Sequence, residues 1–348
     1  MPTSLIDFKS EYRDRVLEIL WRQWTALGVS GQGVPWRGSV IDPEALLLFS
    51  CTVARHDARL FDAMLEWLLL NGRFINVQRI KRILAGEGFA GAAVLRAIAA
   101  MIKTSANESK WACAAGERGK VRKEPELLFF LQDGRPLPVI RREDPLFSRY
   151  GFLRDAFRHR GVAERFRGEQ LSSLLLRLRA LIGVSARCEI LAFLLLNNRG
   201  SPRAMARDCY YYPATMSKAL AEMTQSGYIA SRIEGRHTYY ALIPETWRKF
   251  LIGAGGAGPW VVWARLFGAL EKILIFLLRG DLSDQPPLMQ ASSLRRILRV
   301  SVVSQLDLCG LNIIFGDDAL RPGEELIPFF IDRMRTVLDT VEQAGHGG

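Results

Sequence analysis

The chain has few cysteines and histidines, and they are far apart. Its five cysteines form no C-x-x-C pair, and no two of its four histidines stand at metal-ligand spacing. This argues against a disulfide framework and a zinc finger. We therefore expect no metal site, and we expect a protein of the reducing cytoplasm.

The chain also lacks the short motifs of common enzymes. It has no G-x-S-x-G elbow, no G-x-x-x-x-G-K phosphate loop, no H-E-x-x-H motif and no kinase signature. The glycine-rich segment 253–259 follows a predicted helix end rather than a strand, which favours a linker over a dinucleotide loop. The acid pairs Asp317-Asp318 and Glu324-Glu325 are predicted to be solvated. We predict a non-enzymatic protein without a cofactor.

Long uncharged apolar runs are missing as well. The most apolar stretch, Trp260 to Leu278, contains Arg265, Glu271 and Lys272, whereas a membrane span needs about 20 nearly uncharged residues. The N-terminal segment carries charges where a signal peptide has its apolar core. These features predict a buried or interfacial helix, no membrane partner and a cytoplasmic location.

Positive charge is what the chain has in excess. It contains 47 Lys and Arg against 36 Asp and Glu, for a formal net charge of +11. Residues 154–180 hold seven arginines against three acids, whereas residues 280–348 hold six arginines against ten acids. A basic balance favours a polyanionic partner, chiefly nucleic acid, and its distribution places that partner at the middle of the chain.

Composition and periodicity divide the chain into four parts. We predict a helical N-terminal domain (1–105), a linker with connecting segments (106–170), a helix-turn-helix domain (171–250) and a helical C-terminal domain suited to dimerisation (259–348). In the first part, Asp42 followed by Pro43 indicates a helix start. A helix from Val77 to Leu84 is predicted to turn Arg79, Lys81 and Arg82 outward, and the basic run 116–123 to lie in a surface loop. With the helix before it, this helix is predicted to form ordinary helical packing, the alternative being a second, degenerate DNA-binding unit.

Three successive helix starts follow in the third part. Ser185 begins a helix with an apolar stripe, Ser201-Pro202 begins a short second helix, and Pro213 begins a third. On the third helix, the spacing of Met216, Leu220 and Met223 places them toward the core and leaves Thr215, Ser217 and Lys218 outward. Short polar groups near the N-terminal end of a helix are suited to reading the DNA major groove.

A hairpin is predicted directly after this helix. Gly227 closes the helix, and residues 228–233 and 238–243 form two strands around a turn at Glu234–His237. The turn carries Arg236 and His237, with Arg232 on the first strand. Such a cationic hairpin is suited to contact the sugar-phosphate backbone or the minor groove.

Residues 185–243 resemble the winged helix of MarR/ArsR-type prokaryotic transcription regulators. The resemblance rests on SPRAMARDCYYYPATMSKALAEMTQSGYI and EGRHTYYAL. It implies that the second helix of the pair reads DNA, that the wing touches the backbone and that the protein binds as a homodimer. It implies recognition roles for Pro213, Ala214, Thr215, Ser217 and Lys218, and wing roles for Arg236 and His237. Ser201, Arg203, Tyr212 and Arg232 complete the predicted DNA-binding set.

These patterns together predict a mainly α protein. A winged helix-turn-helix, with three helices and a two-stranded wing, is flanked by helical domains. We expect a homodimeric, sequence-specific transcription regulator that binds duplex DNA. The alternative is a winged-helix adaptor or antitoxin-like protein that holds a partner protein, without catalytic activity. No residue pattern marks an effector pocket.

Overall fold

The chain is mainly helical, with two small sheets. The computed structural model describes residues 4–31, 33–116, 124–139, 141–243, 258–313 and 321–346. Its helices before residue 183 are α1 (Leu5–Ala26), α2 (Pro43–Val53), α3 (Ala58–Asn71), α4 (Val77–Glu87), α5 (Ala92–Ser105), α6 (Ala112–Ala115), α7 (Pro145–Ser148) and α8 (Leu174–Ile182). A parallel pair, β1 (Glu126–Leu127) and β2 (Phe152–Leu153), lies among them.

Side-chain caps fix the starts of the N-terminal helices. Asp42 accepts hydrogen bonds from the backbone N–H groups of Glu44 and Ala45, both at 3.1 Å, so the predicted start of α2 is confirmed. Asp57 begins α3 and Asn76 begins α4 in the same way. Each cap satisfies backbone donors that the first helical turn leaves without a partner.

The C-terminal helices pack onto these N-terminal helices. They are α12 (Trp263–Leu277), α13 (Pro287–Ile297), which continues through a π-helical turn (Leu298–Val302) into α14 (Val303–Asp307), and α15 (Leu326–Gln343). Phe267 of α12 stacks on Phe49 of α2, with ring centroids 4.5 Å apart. The Trp263 indole donates to the carbonyl oxygen of Val40 at 2.7 Å.

The two flanking parts of the chain therefore share one hydrophobic core, which differs from the predicted pair of separate helical domains. The physical reason is that α2 and α12 are buried on nearly every side. A helix that is apolar all round needs apolar neighbours on all sides. Helices α2 and α12 are such neighbours, and each buries part of the other's surface. We call the described residues 4–182 and 258–346 the helical body.

The segment predicted as a linker also belongs to the helical body where it is described. Trp111, Phe129, Phe147 and Phe152 are buried in the shared core. Their burial was missed because they stand in short apolar stretches that show no helical or strand period. The basic run 117–123 and most of the glycine-rich segment lie outside the described residues.

Residues 185–243 form a compact unit with its own core. It contains α9 (Ala186–Asn197), β3 (Arg199–Gly200), α10 (Pro202–Cys209), α11 (Pro213–Gln225), β4 (Ile229–Glu234) and β5 (His237–Leu242). The sheet has three antiparallel strands in the order β3-β5-β4, one more than predicted. The extra strand is two residues long, too short to show alternation. Ile190, Met205, Met216, Leu220 and Ile229 fill the core of this unit.

The most apolar segment of the chain is an interior helix. All but two residues of α12, Lys272 and Ile275, are buried, which confirms a buried helix at this place. Within the described ranges, none of the helices combines the length and apolar content that crossing a membrane requires.

Candidate nucleic-acid interface

Helix α11 presents one polar face to solvent, as the spacing predicts. Met216 and Leu220 are fully buried, and Met223 is half-buried. Pro213, Ala214, Thr215, Ser217 and Lys218 are all exposed. Tyr212 stands at the N-cap position, makes no side-chain cap and is 63% exposed. The start of α11 is therefore an open surface with uncapped backbone N–H groups, a setting that favours anions.

The preceding helix, α10, contributes one free cation to this region. Arg203 is exposed and has no acidic side chain within 4 Å in the described part of the chain. Ser201, predicted to bind DNA, accepts a hydrogen bond from the backbone N–H of Ala204 at 3.3 Å and so caps α10. Ser185 stands at the start of α9, but its hydroxyl makes no such cap.

The hairpin places the predicted wing residues on one side of the sheet. Glu234 lies opposite His237, and Arg232 lies opposite Tyr239. Residues opposite each other in an antiparallel pair project from the same face, so these four share the outer face with Arg199, which lies opposite Ala241. The loop consists of Gly235, which has φ +63°, and exposed Arg236 at the tip.

Acidic neighbours divide the cations of the hairpin into two groups. Glu234 lies 3.1 Å from Arg199 and 3.9 Å from Arg232, so these two arginines are partly neutralised. Arg236 and Lys218 are exposed without an acidic side chain within 4 Å among the described residues. Because exposed ion pairs are weak and easily exchanged, Arg199 and Arg232 are still available to phosphates. We take Arg203, Lys218 and Arg236 as the strongest candidates.

Arg82 of α4 was missed from the sequence as a candidate. Its guanidinium lies 5.1 Å from the ring centroid of Tyr211 and 5.0 Å from that of Tyr212. It thus adds a cation beside the start of α11. Its outward position was predicted from helical periodicity, but its closeness to Tyr212 was not, since the two residues are far apart in the chain.

Arg79 was predicted to point outward, which is wrong, and Arg179 lies in the basic stretch that was predicted to face a polyanion; both side chains are buried. They belong to a cluster, which we call the buried ion network: Asp42, Glu44, Arg79, Arg179 and Glu189. Arg79 lies 2.6 Å from Asp42 and 2.8 Å from Glu44. Arg179 lies 2.6 Å from Glu44 and 2.6 Å from Glu189.

Neighbouring opposite charges favour the ionised forms of Arg179 and Asp42. Burial alone would lower the pKa of the Arg179 guanidinium, but the charges of Glu44 and Glu189 outweigh burial and raise it. Burial would raise the pKa of Asp42, but Arg79 outweighs it and lowers that pKa. The carboxylates of the network and the carbonyl oxygens of Cys209 and Phe74 together compensate the desolvation of the two guanidinium groups.

The buried ion network fixes the turn between α10 and α11. Arg79 donates to the carbonyl oxygen of Cys209 at 2.8 Å. The Tyr211 hydroxyl donates to Glu189 at 3.1 Å and accepts from the Asn76 amide at 2.7 Å. Tyr210 has a left-handed φ of +59°, and its hydroxyl donates to Glu87 of α4. The start of α11 is therefore held against α4 by contacts on several sides.

The basic stretch 154–180 is only partly available to a polyanion. Besides Arg179, Arg154 is buried and lies 2.6 Å from Asp62. Arg158, Arg160 and Arg165 are exposed. The net charge of a sequence segment does not distinguish buried, paired arginines from exposed ones, because an acidic residue distant in the chain decides which arginines are paired.

The described residues hold no group of three or more His, Cys, Asp or Glu side chains placed to bind a metal ion. Glu324 and Glu325 are exposed, and Asp317 and Asp318 lie outside the described residues. Comparison with known proteins gave no match to a family model, a curated protein or a solved structure.

Proposed function

We propose that residues 185–243 are a winged helix-turn-helix, and that the chain is a sequence-specific regulator of transcription that binds duplex DNA. In this proposal α11 enters the major groove, and the β4–β5 hairpin lies on the backbone beside it. The protein acts as a homodimer, as the resemblance to MarR/ArsR-type regulators implies, and needs no catalytic group.

One observation carries this proposal: the exposed polar face of α11 lies beside three cations without acidic neighbours in the described part of the chain, Arg203, Lys218 and Arg236. The order of elements supports it, because a strand between the first two helices pairs with the second strand of the hairpin. A helix fits the major groove and phosphate contacts set its orientation. The fixed turn at Tyr210–Tyr212 reduces the conformational entropy lost on binding.

A second candidate function is a winged-helix adaptor that holds another protein. The observation that favours it is a run of exposed apolar side chains just before α9: Leu181, Ile182 and Val184 are 60%, 43% and 37% exposed. Ile233 of the hairpin is 77% exposed. Exposed apolar groups of this kind serve protein contacts more often than DNA contacts.

Binding of the full chain to genomic DNA fragments at two salt concentrations separates the two functions. The regulator retains specific fragments, and its affinity falls steeply with salt because phosphate contacts release counterions. We expect Lys218→Ala and Arg236→Ala each to weaken binding to a retained fragment and to reduce the slope of log affinity against log salt by about 1.

Lys103→Ala and Arg299→Ala are matched controls, because Lys103 and Arg299 are exposed and stand outside the 185–243 unit. We expect both to bind as the wild type does. Absence of retained fragments at low salt would favour the adaptor. Unchanged binding by Lys218→Ala and Arg236→Ala would overturn the proposed reading surface even if the protein binds DNA.

A further inference from the structure

Three adjoining pockets form one groove across the helical body. Their volumes are about 160, 510 and 340 Å³. The first and second share Asp62 and Arg160, and the second and third share Ser30 and Gly31. The three pockets are therefore direct neighbours, and no residue of the 185–243 unit lines them.

Arginine is the dominant charged residue of this groove. The lining arginines are Arg59, Arg141, Arg142, Arg154, Arg158, Arg160 and Arg167, against the acids Glu18, Asp62, Asp155 and Glu164. Arg154 is paired with Asp62 and Arg167 with Glu164. Four exposed arginines, Arg141, Arg142, Arg158 and Arg160, have no acidic side chain within 4 Å among the residues that the structure describes.

The loop that carries Arg158 and Arg160 has a fixed backbone although it forms no helix or strand. Glu66 is fully buried, and its carboxylate accepts hydrogen bonds from the backbone N–H groups of Arg160 and Val162, the latter at 2.8 Å. Ser30 N–H donates to the Val162 carbonyl oxygen at 2.7 Å. A buried side chain thus holds the loop from inside and leaves both guanidinium groups outside.

We propose that this groove is a second anion-binding site, which binds consecutive phosphates of a nucleic-acid strand. The planar guanidinium group donates two parallel hydrogen bonds to a phosphate, which a lysine cannot do. Arg141, Arg142, Arg158 and Arg160 all line the first pocket, and Arg160 also lines the second. Four guanidinium groups offer more paired donors than one phosphate can accept, which suits consecutive phosphates better than a single small anion. The site goes beyond the proposed function, because it uses residues of the helical body alone.

The test is binding of the full chain to a fluorescent single strand and to a duplex, both of random sequence. The double variant Arg158→Ala/Arg160→Ala removes about two phosphate contacts, so its salt slope on duplex is smaller by about 1.8. The loss of affinity between about 50 and about 200 mM salt then becomes roughly tenfold smaller than for the wild type. Arg158→Lys/Arg160→Lys keeps the charge and therefore the slope, but binds more weakly.

Arg296→Ala/Arg299→Ala is the matched control. Both residues are exposed on the C-terminal helices, and we expect the wild-type slope. An unchanged slope for Arg158→Ala/Arg160→Ala overturns the second site. An equal fall of the salt slope in the control variant also overturns the second site, because the slope would then depend on the net charge of the protein and not on the groove. Circular dichroism checks that each variant is folded.

Competitors identify the source of the phosphates. ATP or inorganic phosphate that displaces the strand at concentrations comparable to that of the strand would overturn the nucleic-acid assignment in favour of a small ligand. Poly-glutamate that binds as tightly as the strand would point to an acidic protein instead. Failure of this site is distinguishable from failure of the proposed function, because Lys218→Ala/Arg236→Ala tests specific duplex binding and leaves all groove arginines in place.

Discussion

Glu271 shows how one buried carboxyl can make the stability of this protein depend on pH. It has no exposed surface on α12, and it accepts a hydrogen bond from the Ala90 N–H at 2.9 Å and another from the Thr52 hydroxyl. Burial raises its pKa from 4.5 to about 7, and the two hydrogen bonds only partly oppose this rise. No charged partner in the described part of the helical body offsets its ionisation through an ion pair.

A carboxyl whose pKa is higher in the folded state stabilises the fold when protonated. This contribution is complete below the unfolded pKa and is lost as the pH rises through about 7. Glu271→Gln, which stays neutral, should therefore raise the free energy of unfolding at about pH 8 by up to about 3 kcal/mol. At pH 4.5 the difference between variant and wild type should be close to zero.

Urea unfolding at the two pH values measures this difference. Glu169→Gln is a suitable control, because Glu169 is exposed and its replacement should change stability little at either pH. A Glu271→Gln variant that is less stable than wild type at the higher pH would contradict the account.

Single residues were predicted well where the cause is local. The outward positions of Thr215, Ser217 and Lys218 follow from helical periodicity alone, and the cap at Asp42 follows from its own side chain. The inward positions of Arg79 and Arg179 could not be predicted, because their carboxylate partners include residues more than thirty positions away.

At the scale of elements, the buried ion network joins α2, α4, α8 and α9. Arg179 of α8 bridges Glu44 of α2 and Glu189 of α9, so the 185–243 unit and the helical body share a desolvated pair of charges. Removing one partner of such a cluster leaves the others buried without compensation.

Arg179→Met should therefore destabilise the protein by about 3–5 kcal/mol. Arg187→Ala provides the comparison: Arg187 forms an exposed ion pair with Glu222, and its loss should cost at most about 1 kcal/mol. Chemical unfolding followed by circular dichroism gives both values. Equal effects of the two substitutions would mean that the buried ion network contributes no more than a surface pair.

Among the elements, length decided which ones the sequence could predict. The helices α9, α10 and α11 and the hairpin β4–β5 have start residues, apolar periods or a turn within their own sequence, and they were predicted close to their observed bounds. The strand β3 has none of these. It exists because Arg199 and Gly200 reach the edge of β5, and that edge is created by the tertiary fold.

At the scale of the whole molecule, the N-terminal and C-terminal parts of the chain contribute to one shared core, so neither part has a complete core of its own. Tyr12 of α1 donates to the Leu270 carbonyl oxygen of α12 at 3.0 Å, and Phe8 packs edge-on against Phe330 of α15. Sequence periodicity reveals that a helix has an apolar face but not which helix covers it. The division of the chain was thus harder to predict than its helices.

The whole-molecule claim is that a homodimer presents two copies of α11 to one DNA duplex. Selection of bound sequences from a random duplex pool by the full chain tests this claim most directly. A homodimer that reads DNA in this way should enrich two symmetric half-sites whose centres are about 10 base pairs apart, or a multiple of that distance. We also expect that Ser217→Ala changes the preferred base at one or two positions, while Ser292→Ala, an exposed control on α13, leaves the motif unchanged. Enrichment of no motif would contradict this claim. Ser217→Ala and Thr215→Ala variants that both enrich the same motif as the wild type would also contradict it.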